Sequence, residues 1–431
     1  MKTGPKPTQF AACIGVDWAD RKHDFCLWDS ADETSEFGRI EHRPAVLHDW
    51  VASLQERYRG KRIAVGLEQS KGALIHLLMQ YEFIVLFIIN PSMSAQYRKT
   101  WKPSRAKDDP TDAALLMELV RDSRHKLKAW YPEDDETRRL GLLTEHRRKA
   151  VNLRVKLTNA LRSSLKAYYP LACEVAGDKL NEGMALNFLT KWPTLESLQR
   201  ARPSTLRQFY YRLNSRYPQT IEKRIAAIGK ARPVTTDEVI IESYSRQMLL
   251  LVDQLKALRK SIAGYDKEIA RLYTRHPEAT IISSFPATGK IFGPRLIAAL
   301  GTDRERFDSA EAICNYSGIA PVTERSGKGE WVHRRWAAPR FIRQSFHEWA
   351  AETIRHSIWA RAFYAQARDR GMGHHQAVRA LAFKWIRILY RCWNERKPYD
   401  ELHYLSMLKK RGSSLWKVIG EHPEGFKFIN P

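Results

Sequence analysis

The segment Ile14-Gly15-Val16-Asp17 is a short apolar run that ends in an acid. Runs of this kind are typical of a buried β-strand whose final side chain lies at the edge of a sheet. Two more strand-like segments follow within 23–42, and both are bounded by polar turn residues. The N-terminal part of the chain therefore opens with three predicted strands, the first of which ends in a carboxylate.

Helix-like and strand-like segments alternate after these three strands. A helix is predicted over 44–57, where Val46, Trp50 and Leu54 recur every four residues. The elements predicted next are a strand at 62–67, a helix at 72–81, a strand at 83–90 and a helix that begins at Pro91. This order predicts an α/β domain in which a mixed sheet carries helices on its faces.

Four acids of this domain occupy positions suited to chemistry. Asp17 follows the first predicted strand and Glu68 follows the fourth, so they would meet at one edge if those strands are neighbours. Asp109 and Asp112 are three residues apart, a spacing that places both carboxylates on one face of a helix. Hard oxygen ligands suit Mg²⁺, which assists phosphoryl transfer in two-metal sites. The alternative is that each acid is a helix cap or a solvated surface charge.

The centre of the chain is predicted to be helical. Apolar residues recur with spacings of four and three from Tyr244 to Leu272, which is the 3.5-residue repeat of a coiled coil. Such a repeat requires a partner helix, and the basic helix predicted over 137–170 of the same chain is one candidate. The other candidate is a second protomer, which would make the protein a homodimer or a homotetramer.

The chain is strongly basic. Its 431 residues include 72 Lys and Arg against 48 Asp and Glu, which gives a formal net charge of +24. A charge of this size predicts a polyanionic partner, although a basic surface that serves only solubility is the alternative. The residues predicted to contact nucleic-acid phosphates are Arg138, Arg139, Arg147, Arg148, Lys149, Arg154, Lys156, Arg325, Lys328, Arg334 and Arg335.

Composition and patterning divide the chain into four parts. We expect the α/β domain at 1–132, a helical coiled-coil region at 133–276, a mostly helical C-terminal domain with a loop at 318–329 inside 277–408, and a tail at 409–431. The longest apolar run is too short to span a bilayer, and the five cysteines lack a metal-binding or disulfide spacing. These features predict a cytoplasmic protein without a membrane segment.

Several short motifs resemble the DEDD transposases of the insertion-sequence 110 family. In the N-terminal domain the motifs are Ile14-Gly15-Val16-Asp17, Gly66-Leu67-Glu68, Asn90-Pro91 and the segment 107–113. In the C-terminal domain they are the segments 316–328, 379–385 and 398–400. Together they cover the chain from about residue 11 to 405. The resemblance implies a RuvC-like domain of the RNase H fold, a coiled coil and a C-terminal transposase domain, in this order.

The resemblance also implies an activity. It implies a DNA recombinase that excises and inserts its own mobile element, guided by an RNA that the element encodes. It further implies that the four acids named above bind Mg²⁺ and that Ser326 attacks the DNA phosphodiester. A covalent phosphoserine conserves bond energy, so cut ends can be rejoined without ATP. Beside Ser326, the side chains of Arg325 and Lys328 would balance the charge that develops on the phosphate.

Pro286-Ala287-Thr288-Gly289 departs from the pattern of a Pro-Gly-x-Gly hairpin that presents backbone amides to phosphate. Alanine adopts a positive φ less readily than glycine, so we do not carry over the phosphate contact of that hairpin.

Two other functions agree with the same residues. One is a RuvC-like, Mg²⁺-dependent nuclease of the junction-resolvase type, in which water is the nucleophile and Ser326 is structural. The other is a nucleic-acid-binding protein without catalysis. Trapping a covalent protein–DNA adduct separates the transposase from the resolvase, and replacement of the acids separates both enzymes from the binding protein.

Overall fold

The computed structural model describes residues 10–69, 71–101, 109–215, 217–327 and 329–421. It divides into two compact units, of which one comprises Met1–Asp134 with Asn315–Pro339 and the other comprises Asp135–Cys314 with Arg340–Pro431. Of the predicted site residues, Lys328 lies outside the described residues, as does the side chain of Asp109. The last ten residues of the predicted tail, 422–431, also lie outside them.

The first unit contains strands and helices in the predicted order. Its elements up to residue 134 are β1 (Ala12–Asp17), β2 (Lys22–Asp29), β3 (Ser35–Glu41), α1 (Pro44–Arg57), β4 (Ile63–Leu67), α2 (Ala73–Leu78), β5 (Ile84–Ile88), α3 (Pro91–Trp101), α4 (Asp109–Asp122) and β6 (Ala129–Trp130). The sequence did not predict β6, which has only two residues and pairs with β5. Each predicted strand and helix lies within a few residues of its observed position.

Six strands of this unit, β1 to β6, form one mixed sheet in the order β3-β2-β1-β4-β5-β6. β1 pairs in parallel with β4, and β4 pairs in parallel with β5. The β1–β2, β2–β3 and β5–β6 pairs are antiparallel. This arrangement confirms the predicted RuvC-like α/β fold, with β1 and β4 at the centre of the sheet.

The sheet is covered by helices on both faces. Alternate side chains of β1, including Ile14 and Val16, pack with residues of α1 and α2 in one apolar cluster. The other side chains of β1, including Cys13, pack with residues 113–120 of α4 in a second cluster. Because successive side chains of a strand point to opposite faces, Gly15 and Asp17 lie on the face that α4 covers.

A β-hairpin replaces the loop that we predicted over 318–329. β7 (Val322–Ser326) and β8 (Gly329–His333) pair antiparallel, with Ser326 opposite Gly329. Gly327 begins the connection with a φ of 58°, a left-handed conformation that glycine adopts readily and that two-residue hairpin turns require. The prediction of a loop was therefore wrong, because the turn residues at 327–329 were interpreted without the strands on either side of them.

The second unit is helical in its described part. Its elements are α5 (Asp135–Tyr168), α6 (Ala172–Val175), α7 (Gly183–Lys191), α8 (Leu195–Gln199), α9 (Pro203–Arg212), α10 (Pro218–Lys230), α11 (Glu238–Arg275), α12 (Ala279–Ser283), α13 (Gly289–Leu300), α14 (Ala310–Tyr316), α15 (Arg340–His356), α16 (Ile358–Asp369), α17 (His374–Glu395), α18 (Glu401–Lys410) and α19 (Ser414–Glu421). Among the described residues, no helix is both long enough and apolar enough to cross a bilayer.

The two longest helices of this unit, α5 and α11, form an antiparallel pair. Near the start of α5, the Thr137 hydroxyl lies 2.9 Å from Nε2 of His276, which follows α11. At the other end of α5, Tyr168 stacks on Tyr244 of α11 with ring centroids 6.2 Å apart. The 3.5-residue repeat of α11 thus packs against the basic helix of the same chain.

Tryptophan side chains form much of the C-terminal core. Trp349, Trp359 and Trp385 are fully buried, and the ring centroid of Trp385 lies 5.3 Å from that of Trp349 and 4.4 Å from that of Trp359. Most of the Trp-rich composition of this region therefore serves packing, and these rings are inaccessible to nucleic-acid bases. Trp331 and Trp336, which belong to the first unit, are 55% and 74% exposed.

Candidate active site

Asp17 and Glu68 lie at the same edge of the sheet. β1 and β4 pair in parallel with Gly15 opposite Gly66, and each acid follows two residues after its glycine. Parallel strands end at the same edge, and alternation places both acids on the face that α4 covers. The predicted proximity of these two acids required β1 and β4 to be neighbouring strands. The structure meets this requirement.

Two glycines allow α4 to approach this part of the sheet closely. A Cβ atom on Gly15 would lie 2.1 Å from the carbonyl oxygen of Ala113, and one on Gly66 would lie 2.5 Å from a methyl group of the same helix. Only a residue without a side chain fits at such a distance. Because Asp112 directly precedes Ala113, this packing holds the first turn of α4 close to β1.

The direction of α4 determines which end of β1 its acids approach. Arg124, just after α4, lies over the ring of Phe10, just before β1, at 5.0 Å from the ring centroid. The start of α4 must then lie toward the other end of β1, which Asp17 terminates. This direction places Asp112, and the backbone of Asp109, at the edge where Asp17 lies.

Two residues of α3 contact two of these acids. Nη2 of Arg98 lies 2.6 Å from Oδ1 of Asp112, a side chain that is 7% exposed. The hydroxyl of Ser94, which is also buried, donates a hydrogen bond to Oε1 of Glu68. Ser94 and Arg98 are four residues apart and share one helical face, so α3 presents this polar face to the acids.

Ser94 and Arg98 are not among the site residues that we predicted. The signal that identifies them is their i, i+4 spacing in a helix that Pro91 opens directly after β5. Because β5 is parallel to β4, a helix that follows it begins at the edge where Glu68 lies. A polar pair on that helix is therefore a natural partner for acids at the same edge.

The chemistry of the donors fits a divalent cation. Carboxylate oxygens are the ligands that Mg²⁺ prefers, although the guanidinium of Arg98 already pairs with Asp112. Within the described residues, no three His, Cys, Asp or Glu side chains are grouped closely enough to hold a metal ion. The predicted set includes the carboxylate of Asp109, which lies outside that description.

Asp24 lies beside these acids on the next strand. It stands opposite Asp17 in the antiparallel register of β1 and β2, and it is buried. Nε of Arg39 on β3 lies 2.9 Å from its Oδ1. Asp24 is not one of the four acids predicted as ligands, and Arg39 is its ion-pair partner.

A pair of histidines, of which His23 is buried and His42 half-buried, adjoins the same strand. Nδ1 of His23 accepts a hydrogen bond from the backbone N–H of Ala19 at 3.3 Å, and its Nε2 lies 2.8 Å from Nδ1 of His42. Burial of His23, with a smaller contribution from His42, lowers the pKa of His23 to about 4. His23 is therefore neutral at physiological pH, with Nδ1 as an acceptor.

Ser326 occupies the tip of the β7–β8 hairpin and is exposed. Its flanking charges are paired across the two strands: Glu324 lies 3.3 Å from His333, and Arg325 lies 3.1 Å from Glu330. These two side-chain contacts hold the two strands in register and leave the hydroxyl at the turn. The hairpin belongs to the same compact unit as the sheet that carries Asp17, although the two are far apart in sequence.

The residues predicted to contact phosphates differ in their ion pairing and exposure. Arg138, Arg147 and Arg148 of α5 form ion pairs with Asp135, Asp266 and Glu348, respectively. Arg325 is paired with Glu330 as described above. Arg139, Lys149, Lys156 and Arg334 are exposed, whereas Arg154 and Arg335 are half-buried. An exposed cation is available to a phosphate without the loss of an internal partner, so the exposed group is favoured for backbone contacts.

The connection between α12 and α13 contains a left-handed alanine. Ala287 has a φ of 59°, and Gly289, which begins α13, has a φ of 41°. The limited access of alanine to this region therefore did not prevent the conformation. A non-glycine residue held there costs about 1 kcal/mol, which the surrounding structure must offset.

Comparison with known proteins identifies the class. Residues 14–170 match the model of a DEDD transposase family of the IS110 type, and residues 279–365 match the transposase family of IS116, IS110 and IS902. The mini-circle protein of IS117 in Streptomyces coelicolor, provisionally designated a transposase, is 29% identical over 90% of this chain and 95% of its own length. The 44.8 kDa protein of insertion element IS116 in Streptomyces clavuligerus is 27% identical over the same shares of both chains.

Another relative is named for the inversion of a gene rather than for an insertion element. The pilin gene-inverting protein of Moraxella bovis is 24% identical over 42% of this chain and 60% of its own length. The fold and these matches define the class as a transposase, an enzyme that acts on DNA. Within that class, the chain belongs to the IS110 family of DEDD transposases.

Proposed function

We propose that this transposase cuts and rejoins DNA through a phosphoserine formed on Ser326, at a site that also contains Asp17, Glu68, Asp109 and Asp112. One observation supports the proposal most directly: the hairpin that carries Ser326 belongs to the same compact unit as the sheet that carries the acids. A strand that carries a hydroxyl at an exposed turn can present it to a phosphodiester without unfolding any other element.

The covalent step is a phosphoryl transfer to a serine oxygen. Oγ of Ser326 forms a bond to phosphorus while the bond between phosphorus and one bridging strand oxygen breaks. The serine proton is lost, and the departing strand oxygen gains a proton and becomes a hydroxyl end. Attack of a hydroxyl end on the phosphoserine restores the serine and joins the strand, so the number of phosphodiester bonds does not change.

The four acids are the proposed ligands of Mg²⁺. When bound, Mg²⁺ supplies positive charge against the phosphate oxygens at which negative charge develops. On the protein side, the Ser94 hydroxyl orients Glu68, whereas the guanidinium of Arg98 forms an ion pair with Asp112. Replacement of a residue that orients a metal ligand, as Ser94 orients Glu68, lowers metal affinity and activity about 10- to 100-fold.

Replacement of Ser326 tests the nucleophile. The full-length protein is incubated with element-end DNA and divalent metal, quenched with denaturant, and assayed for a covalent protein–DNA adduct. We expect an adduct in the wild-type protein and none in Ser326→Ala. Thr323→Ala, which removes another exposed hydroxyl of β7, is the matched control and should retain the adduct. Strand cutting by Ser326→Ala at the wild-type rate would instead indicate a resolvase that uses water.

Replacement of the acids tests the site as a whole. We expect Asp17→Ala and Glu68→Ala to abolish adduct formation and strand cutting while DNA binding persists. Intact DNA processing by both variants would contradict both enzymatic functions and leave a binding protein.

We also propose that an element-encoded RNA guides this activity in the cytoplasm. The exposed Trp331 and Trp336 are suited to stack on unpaired bases, and Arg334 lies over Trp336 at 4.8 Å from a ring centroid. Sequencing of nucleic acid that co-purifies with the protein tests this proposal. A discrete structured RNA encoded beside the gene is expected, whereas random cellular RNA would contradict it.

We propose a homodimer or a homotetramer as the active assembly. Because α11 packs along α5 of the same chain, the repeat of α11 does not by itself demand a second protomer. Support comes from exposed apolar side chains near the start of α11, where Val239 is 74% and Leu250 is 58% exposed. Light scattering of the purified protein measures its oligomeric state. A monomer at all concentrations, with and without DNA, would contradict the proposed assembly.

A further inference from the structure

A small cavity in the second unit is surrounded by positive charge. It lies among α5, α11 and α13, and its volume is about 10 Å³, room for one oxygen atom of water size. Its lining residues are Thr144, Arg147, Arg148, Ile269, Lys290, Ile291 and Arg295. Four of these seven residues are cationic, and of these four only Lys290 is exposed. This is an unusual composition for a small space with partly buried walls.

Arg295 supplies an unused donor to this cavity. The side chain is 4% exposed; its Nε donates to Oγ of Ser345 at 2.9 Å and its Nη1 donates to Oε2 of Glu348 at 2.8 Å. Its Nη2 is buried and has no hydrogen-bond partner among the described residues. A guanidinium stays charged in proteins, so a buried N–H without an acceptor is costly and calls for a ligand oxygen.

The charges around the cavity do not balance. Arg148 and Arg295 share a single carboxylate, that of Glu348, and Arg147 pairs with Asp266. Lys290 adds a further positive charge. Among the residues that the structure describes, these four cations therefore pair with two carboxylates, and an anion with one or two negative charges would complete the set.

The backbone adds to this preference for an anion. Lys290 and Ile291 lie in the first turn of α13, a helix of 12 residues. The first N–H groups of a helix have no partner within the helix, and the helix dipole is positive at that end. The N-terminus of α13 and the unused Nη2 of Arg295 thus favour an anion at the same cavity.

We propose that this cavity, which we call the Arg295 pocket, binds one backbone phosphate of the nucleic acid on which the enzyme acts. One non-bridging oxygen enters the cavity and accepts from Nη2 of Arg295, while the rest of the phosphate remains outside, beside exposed Lys290. The phosphate belongs to DNA or to a guide RNA, which carry the same group. This inference rests on the proposed function for the identity of its ligand, but not for the chemistry of the pocket.

Lys290 is the residue to replace first, because it is exposed and its loss leaves the core intact. Binding of the full-length protein to a fluorescent DNA duplex, and separately to a single-stranded RNA, is measured at several salt concentrations. We expect Lys290→Ala to weaken binding of one of the two about tenfold at low salt. The slope of log K against log[salt] should fall by about 0.9 for DNA or about 0.7 for RNA. Lys223 on α10 is another exposed lysine of this unit, and Lys223→Ala is the matched control. It should change neither the affinity nor the salt dependence of binding.

Inorganic phosphate provides a measurement that is independent of nucleic acid. Phosphate should raise the melting temperature of the wild-type protein and of Lys223→Ala, and should raise it less in Lys290→Ala and Arg295→Met. Arg295→Met retains the length of the side chain and removes the donors, and its own melting temperature shows whether it is folded. Equal phosphate response in wild type and Lys290→Ala, together with equal nucleic-acid affinity, would overturn the pocket.

The two proposals fail in different ways. If Ser326→Ala still cuts DNA but Lys290→Ala loses phosphate binding, the serine mechanism is wrong and the Arg295 pocket stands. If Ser326→Ala loses the adduct while Lys290→Ala binds phosphate and both nucleic acids like the wild type, the mechanism stands and the pocket is wrong.

Discussion

Arg98 forms an ion pair with Asp112, with Nη2 2.6 Å from Oδ1, at the edge of the sheet where Asp17 and Glu68 also lie. One of the four proposed metal ligands is therefore neutralised by a side chain of its own protein. A divalent cation that binds Asp112 has to compete with this guanidinium or share the carboxylate with it. The same contact keeps the acid-rich edge stable before any cation arrives.

Replacement of Arg98 should therefore strengthen metal binding to the free protein. A partly buried ion pair of this kind contributes about 1 kcal/mol, so we expect Arg98→Gln to bind Mg²⁺ about fivefold more tightly. The measurement is the Mg²⁺ concentration that gives half of the maximal increase in melting temperature. Arg43→Gln, which disrupts an exposed ion pair with Glu41, is the control and should leave that concentration unchanged. Weaker Mg²⁺ binding by Arg98→Gln would mean that Arg98 positions Asp112 rather than competes for it.

Replacement of Ser94 should lower activity without unfolding the domain. Ser94→Ala removes the hydroxyl that donates to Glu68, and loss of such a support typically lowers activity by about tenfold or more. The measurement is the rate of covalent adduct formation at saturating DNA. Ser92→Ala is a matched control on the same helix, because Ser92 is exposed and bonds only locally to Asn90. Equal rates for both variants would remove Ser94 from the site.

Much of this fold follows from local sequence patterns. Apolar runs that end in Asp17 and precede Glu68 predict two buried strands, and the α1 boundaries follow from apolar spacing and Pro44. The pairing of β1 with β4 does not follow from either run, because neighbouring strands in a sheet are chosen by the packing of the whole domain. The predicted site required that pairing, and the pairing is seen only in the folded structure.

The unpredicted residues have in common that their partners are distant in sequence. Ser94 and Arg98 gain their role from Glu68 and Asp112, which the turn of the chain brings to α3. Arg295 looks like an ordinary helical arginine until α15 brings Glu348 to it. The β7–β8 hairpin was missed for a different reason, since its strands are exposed and lack the apolar alternation that marks a half-buried strand.

The close contact between α4 and β1 predicts that Gly15 tolerates no side chain. A Cβ there would lie 2.1 Å from a backbone oxygen, so Gly15→Ala must displace α4 and should destabilise the protein by about 1–3 kcal/mol. Since α4 carries Asp112, metal-dependent cutting should fall as well. The measurements are urea unfolding and adduct formation.

Gly264→Ala is the matched control for this substitution. Gly264 lies within α11 with nothing within 4 Å of an added Cβ, so alanine should stabilise that helix by about 0.5–1 kcal/mol. If Gly15→Ala unfolds at the same urea concentration as the wild type, α4 does not pack on β1 as closely as described.

The buried neutral state of His23 predicts that the first unit loses stability in mild acid. The pKa of His23 is about 4 in the folded protein and near 6.5 in an unfolded chain, so between these values the unfolded state binds more protons. Stability is then complete above about pH 6.5 and decreases as the pH falls toward 4. Protonation of Nδ1 would also remove the acceptor for the N–H of Ala19. His42 and Asp24 are the titratable neighbours that contribute to this pKa, in opposite directions.

His23→Asn isolates this contribution, because an asparagine oxygen can accept from Ala19 and does not titrate between pH 4 and 7. We expect the variant to lose less melting temperature than the wild type between pH 7 and pH 5, even if it is less stable at pH 7. His375→Asn, which changes an exposed histidine of the second unit, is the control and should follow the wild-type profile. An identical loss in all three proteins would show that the acid sensitivity arises elsewhere, since only His23→Asn removes the buried imidazole from the sheet.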